Sequence, residues 1–290
     1  MNCRNKAYKP LKIDRSLKLF FKNALKEDIG IGDITSRLIA PKGKKAKAYI
    51  ILKEKGVIAG IDAAKEIFKI IDKNIKFRAL CRDGDVLGMS EKLAIIEGDC
   101  RVILACERTA LNLLSHLSGI ATLTQKFARK IKPYKTKIYD TRKTIPGLRC
   151  LEKYSVTCGG GYNHRLGLWD MILIKDNHLA LTSRLGLNIN DAVRLAKSKK
   201  PNSIRVEVEV KNFKEFKEAL SAKPDIIMLD NMNLKEMKKA VRLKGPVKIE
   251  ASGSVNLSKL KRIAKTGVDI ISAGALTHSA PALDMSLELA

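Results

Sequence analysis

A regular beat in the second half of the chain constrains its fold more than any other feature. Short aliphatic, β-branched runs end near Asp140, Lys175, Glu209, Asp230, Ser252 and Ala273, and the last four ends lie 21, 22 and 21 residues apart. Helix-like segments near Asn212 to Leu220, Asn233 to Leu243 and Asn256 to Lys265 fill the gaps. Strands alternating with helices at this interval predict parallel pairing through helical crossovers. The even spacing favours barrel-like closure over an irregular mixture. Neither Gly nor Pro interrupts Ile226 to Leu229 or Val268 to Ile271. In a barrel the C-terminal strand ends share one opening, so residues far apart in sequence build one site.

The first half reads differently. Leu17 to Lys26 predicts a short helix with Leu17, Phe20, Phe21, Ala24 and Leu25 on one broad face, punctuated by Gly30 and Gly32. Asp33 to Ser36 reads as a turn. Ala46 to Leu52 and Leu93 to Glu97 are strand candidates separated by a helix near Asp62 to Phe68 and a turn at Arg82 to Asp85. This half is therefore expected to be α+β. Asp99 is placed to cap a long helix from about Cys100, whose Ile103, Cys106, Ala110, Leu114 and Leu117 repeat at three- and four-residue spacing on a buried face.

The 290 residues suffice for a sizeable core, as one large domain or two moderate ones. No apolar run approaches the roughly 18 residues of a membrane span. The opening residues lack a secretory apolar core, so a cytoplasmic location is expected. Six scattered cysteines at 3, 81, 100, 106, 150 and 158 contain no CxxC pair and read as reduced, mostly buried thiols. The net charge of +26 would attract polyanions. Its lysines, however, are spread along the chain, with a denser patch only at Lys42, Lys44, Lys45 and Lys47. No zinc finger, aromatic-rich RNA-binding strand or basic tail accompanies them, so no specific nucleic acid is expected.

Between Thr141 and His178 lie Arg142, Lys143, Arg149, Arg165 and Lys175, close to strand ends and to Gly159, Gly160 and Gly161. Any one of these would pass for a residue of a basic surface loop. Together they point to an anion site, because the Arg fork fits carboxylate and phosphate oxygens and glycine lets backbone approach a ligand. Glu209 and Asp230 close two predicted strands. Acids there face a metal or polar cleft more cheaply than a core, though each alone also reads as a solvated strand cap. Glu207 shares the side-chain parity of Glu209, and spacing does not separate their roles. Ser252-Gly253-Ser254 and Gly274-Ala275 precede helices, where backbone amides bind phosphate. No P-loop or dinucleotide-binding glycine motif competes with them.

The chain resembles the quinolinate phosphoribosyltransferases, also called nicotinate-nucleotide pyrophosphorylases (carboxylating). The matching motifs are DTRKTIPGLR at Asp140 to Arg149, EKYSVTCGGGYNHRLGLWD at Glu152 to Asp170 and IKDNH at Ile174 to His178. EDIGIGDITS at Glu27 to Ser36, VEVEV at Val206 to Val210, LDN at Leu229 to Asn231, EASGS at Glu250 to Ser254 and SAGALTHS at Ser272 to Ser279 fall in the family's order. Ile145 stands where the family usually has a hydroxyl residue, and Ser254 where it more often has a second Gly.

The resemblance implies an incomplete seven-stranded α/β barrel with a separate N-terminal α+β domain. The expected divisions are 1–115 for the N-terminal domain, 116–276 for the barrel, and 277–290 for a tail that packs back on the first domain. It implies a quinolinate pocket of Arg142, His164, Arg165 and Lys175, with Thr141 also among the substrate-binding residues and Lys143 between quinolinate and the donor, 5-phosphoribosyl 1-pyrophosphate. Arg108, within ERTALNLL, is implied to reach from a neighbouring chain, making a dimer with shared sites and leaving a hexamer open. Motif register selects Glu209, with Asp230, to hold Mg²⁺ partly through water. Ser252, Gly253, Ser254, Ala273, Gly274 and Ala275 are implied to bind the 5′-phosphate. The implied reaction gives nicotinate mononucleotide, pyrophosphate and CO₂, a step of NAD biosynthesis. Two alternatives are the related enzyme associated with molybdate transport, which Arg142, Lys143, His164, Arg165 and Lys175 disfavour, and a basic nucleic-acid-binding protein, which needs an exposed basic stripe.

Overall fold

A computed structural model describes residues 10–290. The chain forms two compact units: one built from residues up to Gln125 together with Pro146–Gly160 and Ala280–Ala290, the other from Lys126–Ile145 and Gly161–Ser279. The boundary expected after residue 115 falls inside a single helix, and residues 146–160 return to the first unit. Cys3 lies outside the described residues.

The first unit begins with α1 (Arg15–Ile29), which Asp14 caps by accepting from Leu17 N at 2.9 Å. Leu17, Phe21 and Leu25 repeat every four residues and are buried. Asp33 to Ser36, expected to be a turn, instead starts α2 (Ile34–Ile39). The reason is local: Asp33 accepts from both the backbone N and the hydroxyl of Ser36, so a turn motif became an N-cap. The following elements are β1 (Lys45–Leu52), β2 (Gly56–Val57), α3 (Ile61–Ile71), β3 (Lys76–Ala79), β4 (Val86–Leu87), β5 (Lys92–Asp99) and α4 (Cys100–Ile131). Alternation in β1 buries Ala48, Ile50 and Leu52. The strand pairs antiparallel with β5, Ala48 opposite Ile96. Asp99 accepts from Arg101 N at 2.8 Å and starts α4 as the sequence predicts. Ile103, Cys106, Ala110, Leu114 and Leu117 all lie in the core of this unit.

In chain order there follow β6 (Lys137–Tyr139), α5 (Arg149–Cys158), β7 (Ile172–Ile174), α6 (Asp176–Ser183), α7 (Ile189–Lys199), β8 (Val206–Val210), α8 (Phe213–Ser221), β9 (Ile226–Asp230), α9 (Leu234–Leu243), β10 (Lys248–Ser252), α10 (Leu257–Ala264), β11 (Ile270–Ser272), α11 (Ala275–His278) and β12 (Met285–Leu289). The last strand belongs to the first unit and completes its sheet in the order β12-β1-β5-β3. Helix α5 also belongs there and places Leu151, Tyr154 and Cys158 in its core.

The second unit is a parallel sheet in the order β6-β11-β10-β9-β8-β7. Tyr162 bridges to Tyr139 beside β6, a further extended segment reduced to one bridged residue. The sheet curls. Ile226 on β9, Ile270 on β11 and Met171 just before β7 share one buried cluster although β9 is two strands from each of the others, about 10 Å if the sheet were flat. Asn212, Asn233 and Asn256 each cap the helix after a strand, accepting from Glu215 N, Glu236 N and Lys259 N. These caps turn each strand end sharply into its crossover helix.

Strand register sorts side chains between two faces. Val206, Val208 and Val210 share one face of β8, while Glu207 and Glu209 share the other. Register aligns Glu207 with Leu173 and Ile226, Glu209 and Glu250 with Met228, and Ser252 with Asp230. The inner face therefore carries Ile226, Met228 and Ile270 together with the buried Glu207 and Glu250, and Glu209, Asp230 and Ser252 lie towards the strand ends.

Gly119 on α4 lies against the returning tail, where an added Cβ would meet Pro281 O at 2.0 Å. Backbone cannot move aside as a side-chain tip does. Gly119→Ala should therefore destabilise the first unit by about 1–3 kcal/mol, read as a lower thermal midpoint.

Candidate active site

The strand ends of the second unit carry the polar groups. Lys175 follows β7 and pairs with Glu209 Oε2 at 3.0 Å. His178 Nδ1 accepts from Lys175 N at 2.9 Å, so this histidine shapes the start of α6. Asp230 ends β9, on the same inner face as Glu209 and one two-residue step further along the neighbouring strand. Asn231 has φ 52 and donates its backbone N to Ser252 O at 3.0 Å, tying the β9 and β10 exits together. Gly253 has φ 92, and a Cβ there would lie 2.3 Å from the Asn231 amide. Ser254 has φ 44, a left-handed conformation in which glycine is relaxed and serine strained. The departure at this position thus has a backbone consequence.

The β6 and β11 exits also meet. Lys143 N donates to Thr141 Oγ1 at 3.0 Å, and Lys143 O accepts from Thr277 Oγ1 at 2.6 Å. The Lys143 side chain crosses Gly274 so closely that a Cβ would sit 2.8 Å from Lys143 Cδ. Gly274 therefore forms a floor under the lysine. Its partner loop, Ser252-Gly253-Ser254, follows the adjacent strand β10.

Two arginines come next. Arg165 is buried and donates Nη1 to Met171 O at 3.2 Å. Burial first, and then the neighbouring positive charge of Arg142, lower its proton affinity. Arg142 Nε is itself buried, with no hydrogen-bond partner among the described residues. Two guanidiniums that repel each other and shed water are held by their scaffold rather than by mutual attraction. Their fork geometry suits a bound carboxylate.

Beneath them, His164 donates its backbone N to Asp140 Oδ1 at 2.8 Å. Its Nε2 lies 3.1 Å from Glu207 Oε2 and 3.3 Å from Glu250 Oε2, and both carboxylates are fully buried. Burial alone would lower the imidazole's proton affinity. The two carboxylates outweigh it and hold His164 up at about 10. Burial and the charge of Glu250 push Glu207 upward, against the pull of His164. These three side chains are the group of His, Cys, Asp and Glu donors close enough for one metal ion among the described residues.

The sequence-predicted residues Thr141, Arg142, Lys143, His164, Arg165, Lys175, Glu209, Asp230, Ser252, Gly253, Ser254, Ala273, Gly274 and Ala275 all lie in the second unit. Arg108 lies on α4 in the first unit, its side chain 63% exposed. Arg149 opens α5, also in the first unit. Gly159 and Gly160 end that helix: a Cβ on Gly159 would meet Ala121 O at 2.2 Å, and Gly160 has φ 91. These glycines thus serve helix packing and chain reversal. Sequence reasoning set Glu207 aside and gave Glu250 no role. Their signal was parity, since each lies two residues before a strand-end site residue.

A parallel α/β sheet with cations, acids and two glycine-bearing turns at its strand ends is an arrangement suited to anionic groups. The quinolinate phosphoribosyl transferase family models match residues 33–118 (N-terminal domain) and 120–288 (C-terminal domain), and the chain belongs to this family. It is 40% identical over 277 residues to the nicotinate-nucleotide pyrophosphorylase [carboxylating] of Mycobacterium leprae, covering 92% of this chain and 95% of that one. It is also 40% identical over 290 residues to the mitochondrial quinolinate phosphoribosyltransferase [decarboxylating] 2b of Nicotiana tabacum, covering 94% and 82%. The structure of the Francisella tularensis nicotinate-nucleotide pyrophosphorylase superposes with TM-score 0.91 at 41% identity, covering 100% of both chains.

The two turn glycines separate binding from stability. Gly274 has ordinary φ, so Gly274→Ala should leave the thermal midpoint near the parent's while displacing Lys143. Loss of one charge-assisted contact is worth about 1.5–3 kcal/mol, a tenfold to hundredfold drop in kcat/KM. Gly253→Ala, strained in φ as well as crowded, should lower both the midpoint and kcat/KM. Thermal melts and steady-state kinetics on both variants check this contrast.

Proposed function

We propose that this chain transfers the phosphoribosyl group of 5-phosphoribosyl 1-pyrophosphate to quinolinate and decarboxylates the product. The products are nicotinate mononucleotide, pyrophosphate and CO₂, in NAD biosynthesis. The observation that carries the reading is the pair Arg142 and Arg165: withdrawn from water, mutually repelling, and with Arg142 Nε unpartnered among the described residues. A planar acid with two adjacent carboxylates supplies the negative charge such a pair lacks. His164 and Lys175 complete the pocket, with Thr141 and Lys143 bordering it towards the donor. The phosphate of the donor is held over Ser252-Gly253-Ser254 and Ala273-Gly274-Ala275.

The pyridine nitrogen attacks C1 of the ribose as the C–O bond to pyrophosphate breaks. Lys143, over the Gly274 floor, stabilises the charge gathering on the departing oxygens. The quinolinium formed is an electron sink: the C2–carboxylate bond breaks, its electron pair stays at C2, and C2 takes up a proton. No organic cofactor is required for that step. Glu209 and Asp230 suit magnesium, being hard carboxylate donors on adjacent strands with Cα positions about 8 Å apart by strand spacing and rise. The ion, when bound, neutralises pyrophosphate charge. Lys175 now pairs with Glu209, and exchanging that partner for a substrate carboxylate leaves Glu209 to the cation.

The working unit in this reading is a homodimer in which Arg108 enters the partner's site; a hexamer would be an assembly of such dimers. The exposure of Arg108 supports this, as do Ile34, Leu38, Ile39, Leu168 and Trp169, large apolar side chains left open to solvent. We place the protein in the cytoplasm. Among the described residues no helix is long and apolar enough to cross a membrane.

A purified-enzyme assay with Mg²⁺ and the donor should show nicotinate mononucleotide and CO₂ formed together from quinolinate. Nicotinate should be used at least tenfold less well, because part of the cation set then lacks its ligand. Chelation of Mg²⁺ should abolish turnover. Equal use of nicotinate, or nucleotide without CO₂, would overturn the reaction. Mixing inactive Arg108→Ala with inactive Lys143→Ala chains should restore part of the activity once subunits exchange. No recovery after demonstrated exchange would rule out shared sites.

A further inference from the structure

The parallel sheet has two ends, and the reaction above uses one of them. Every strand of the second unit enters at the opposite end, where residues ordinarily serve stability. Here that end carries cations. Lys137 and Lys248 open β6 and β10, Arg205 immediately precedes β8, and Lys223 and Lys265 stand in the turns before β9 and β11. Lys135 adds a second charge before β6. All six residues are exposed. Five of the six strands of this sheet thus have a cation at their entry, drawn from positions scattered between 135 and 265.

The acids at this end are already committed. Asp225 Oδ2 accepts from Val206 N at 2.7 Å. Asp269 Oδ2 accepts from Ile249 N at 2.8 Å and pairs with Lys244. None of the six cations has an acidic partner among the described residues. At the exit end, by contrast, Lys175 pairs with Glu209 and Lys211 with Asp176. The curl of the sheet gathers the entries further. Burial raises the proton affinity of the Tyr139 hydroxyl on β6, and the charge of Arg205 opposes it, although β6 is first and β8 fifth in the sheet order. Hydrogen bonds join the β6 and β11 entries: Thr136 Oγ1 donates to Val268 O at 2.7 Å and Lys137 N to Asp269 O at 3.0 Å. Like charges collected without counter-charges repel one another and weaken the compact state. Stability therefore does not explain them.

We propose that the strand-entry end of the second unit is a docking face for the phosphate backbone of a nucleic-acid duplex, bound without regard to base sequence. The face is separate from the site of the reaction and does not depend on it.

Charge complementarity calls for a polyanion, and the kind of cation narrows the choice. The entries from β6 to β8 cover at most about 19 Å by strand spacing, a length over which a duplex presents about eleven phosphates. Five of the six cations are lysines, point charges on flexible stems that neutralise phosphates and fix no base pattern. Unstacked single strands are held on open aromatic faces. Here Tyr139 and Tyr162 stack on each other with centroids 5.5 Å apart, and Lys137 Nζ lies 4.8 Å from the Tyr162 ring centre. A membrane surface is met by a helix with an apolar face beside its cations. These cations stand in turns and at strand starts instead.

Fluorescence anisotropy of the intact protein with a labelled duplex of about 20 base pairs tests this. Binding should be micromolar at low salt, and the logarithm of affinity should fall with the logarithm of salt at a slope of about −4 to −5. RNA and DNA duplexes should bind alike, since only phosphates are met. Lys223→Gln, Lys248→Gln and Lys265→Gln together should weaken binding about tenfold or more and reduce the slope by about 2 to 3. The control removes the same charge from the first unit: Lys42→Gln, Lys44→Gln and Lys45→Gln together should change affinity by less than about threefold. Both triple variants should keep the parent kcat/KM.

Lysine acetylation of the parent chain, read by mass spectrometry, needs no variant. The duplex should protect Lys223, Lys248 and Lys265 and leave Lys42, Lys44 and Lys45 reactive. Equal weakening by the two triples, or equal protection of the two sets, would reduce the effect to the general attraction of a basic protein and overturn the docking face. The absence of duplex binding at low salt would overturn it as well. So would tighter binding of a single strand, or a preference for phosphatidylserine vesicles, either of which assigns the face a different occupant.

Discussion

The second unit depends on one constraint: neighbouring residues of a strand point to opposite faces, and a curled parallel sheet treats those faces differently. The outer face meets helices, and Val206, Val208, Val210, Ile227, Leu229, Ile249 and Ile271 fill it. The inner face carries the apolar cluster of Met171, Ile226 and Ile270, with Tyr139 packed against it. Beyond that cluster and Met228, the inner face is polar, with Glu207, Glu209, Glu250, Asp230 and Ser252. Polar groups can occupy that level only if they satisfy one another or a ligand. A slip of one residue in any strand would put carboxylates against helices and valines at the mouth. The fold and the site therefore share one pattern.

Charge organisation follows from the same layering. Arg142, Arg165 and Lys175 bring like charges together near the strand ends, and repulsion alone would splay them. Acids hold the set in place: Glu209 pairs with Lys175, and Glu207 and Glu250 sit below with His164. The protein thus assembles its anion site on fixed counter-charges, and less rearrangement is left for the moment of binding.

Much of this was legible in the sequence, for identifiable reasons. The beat of strand ends reported the crossover length, and the Asn residues after β8, β9 and β10 reported helix starts. Both are local signals, and both survive into the structure. The misreadings came where a local signal serves two purposes. Asp33 to Ser36 has turn chemistry and cap chemistry alike, and its own hydroxyl chose the cap. Gly159 to Gly161 looked like ligand backbone but ends a buried helix against Ala121. Glu207 and Glu250 were passed over because nothing adjacent in sequence says that two carboxylates 43 positions apart converge on one imidazole. Only strand register brings them together.

The first unit is discontinuous, drawing on three stretches of chain, and its sheet closes only when β12 adds beside β1. Strand β1 emerges early from the ribosome, while its outer neighbour is made more than two hundred residues later. At about 5–20 residues per second, that edge waits for some ten to fifty seconds with its backbone unpaired. During this interval the intervening barrel segment is synthesised and free to fold. Lys45 and Lys47, on the waiting strand, are the kind of edge charges that deter pairing with another nascent chain. The order of assembly is thus written into the topology: the part of the protein that begins first finishes last.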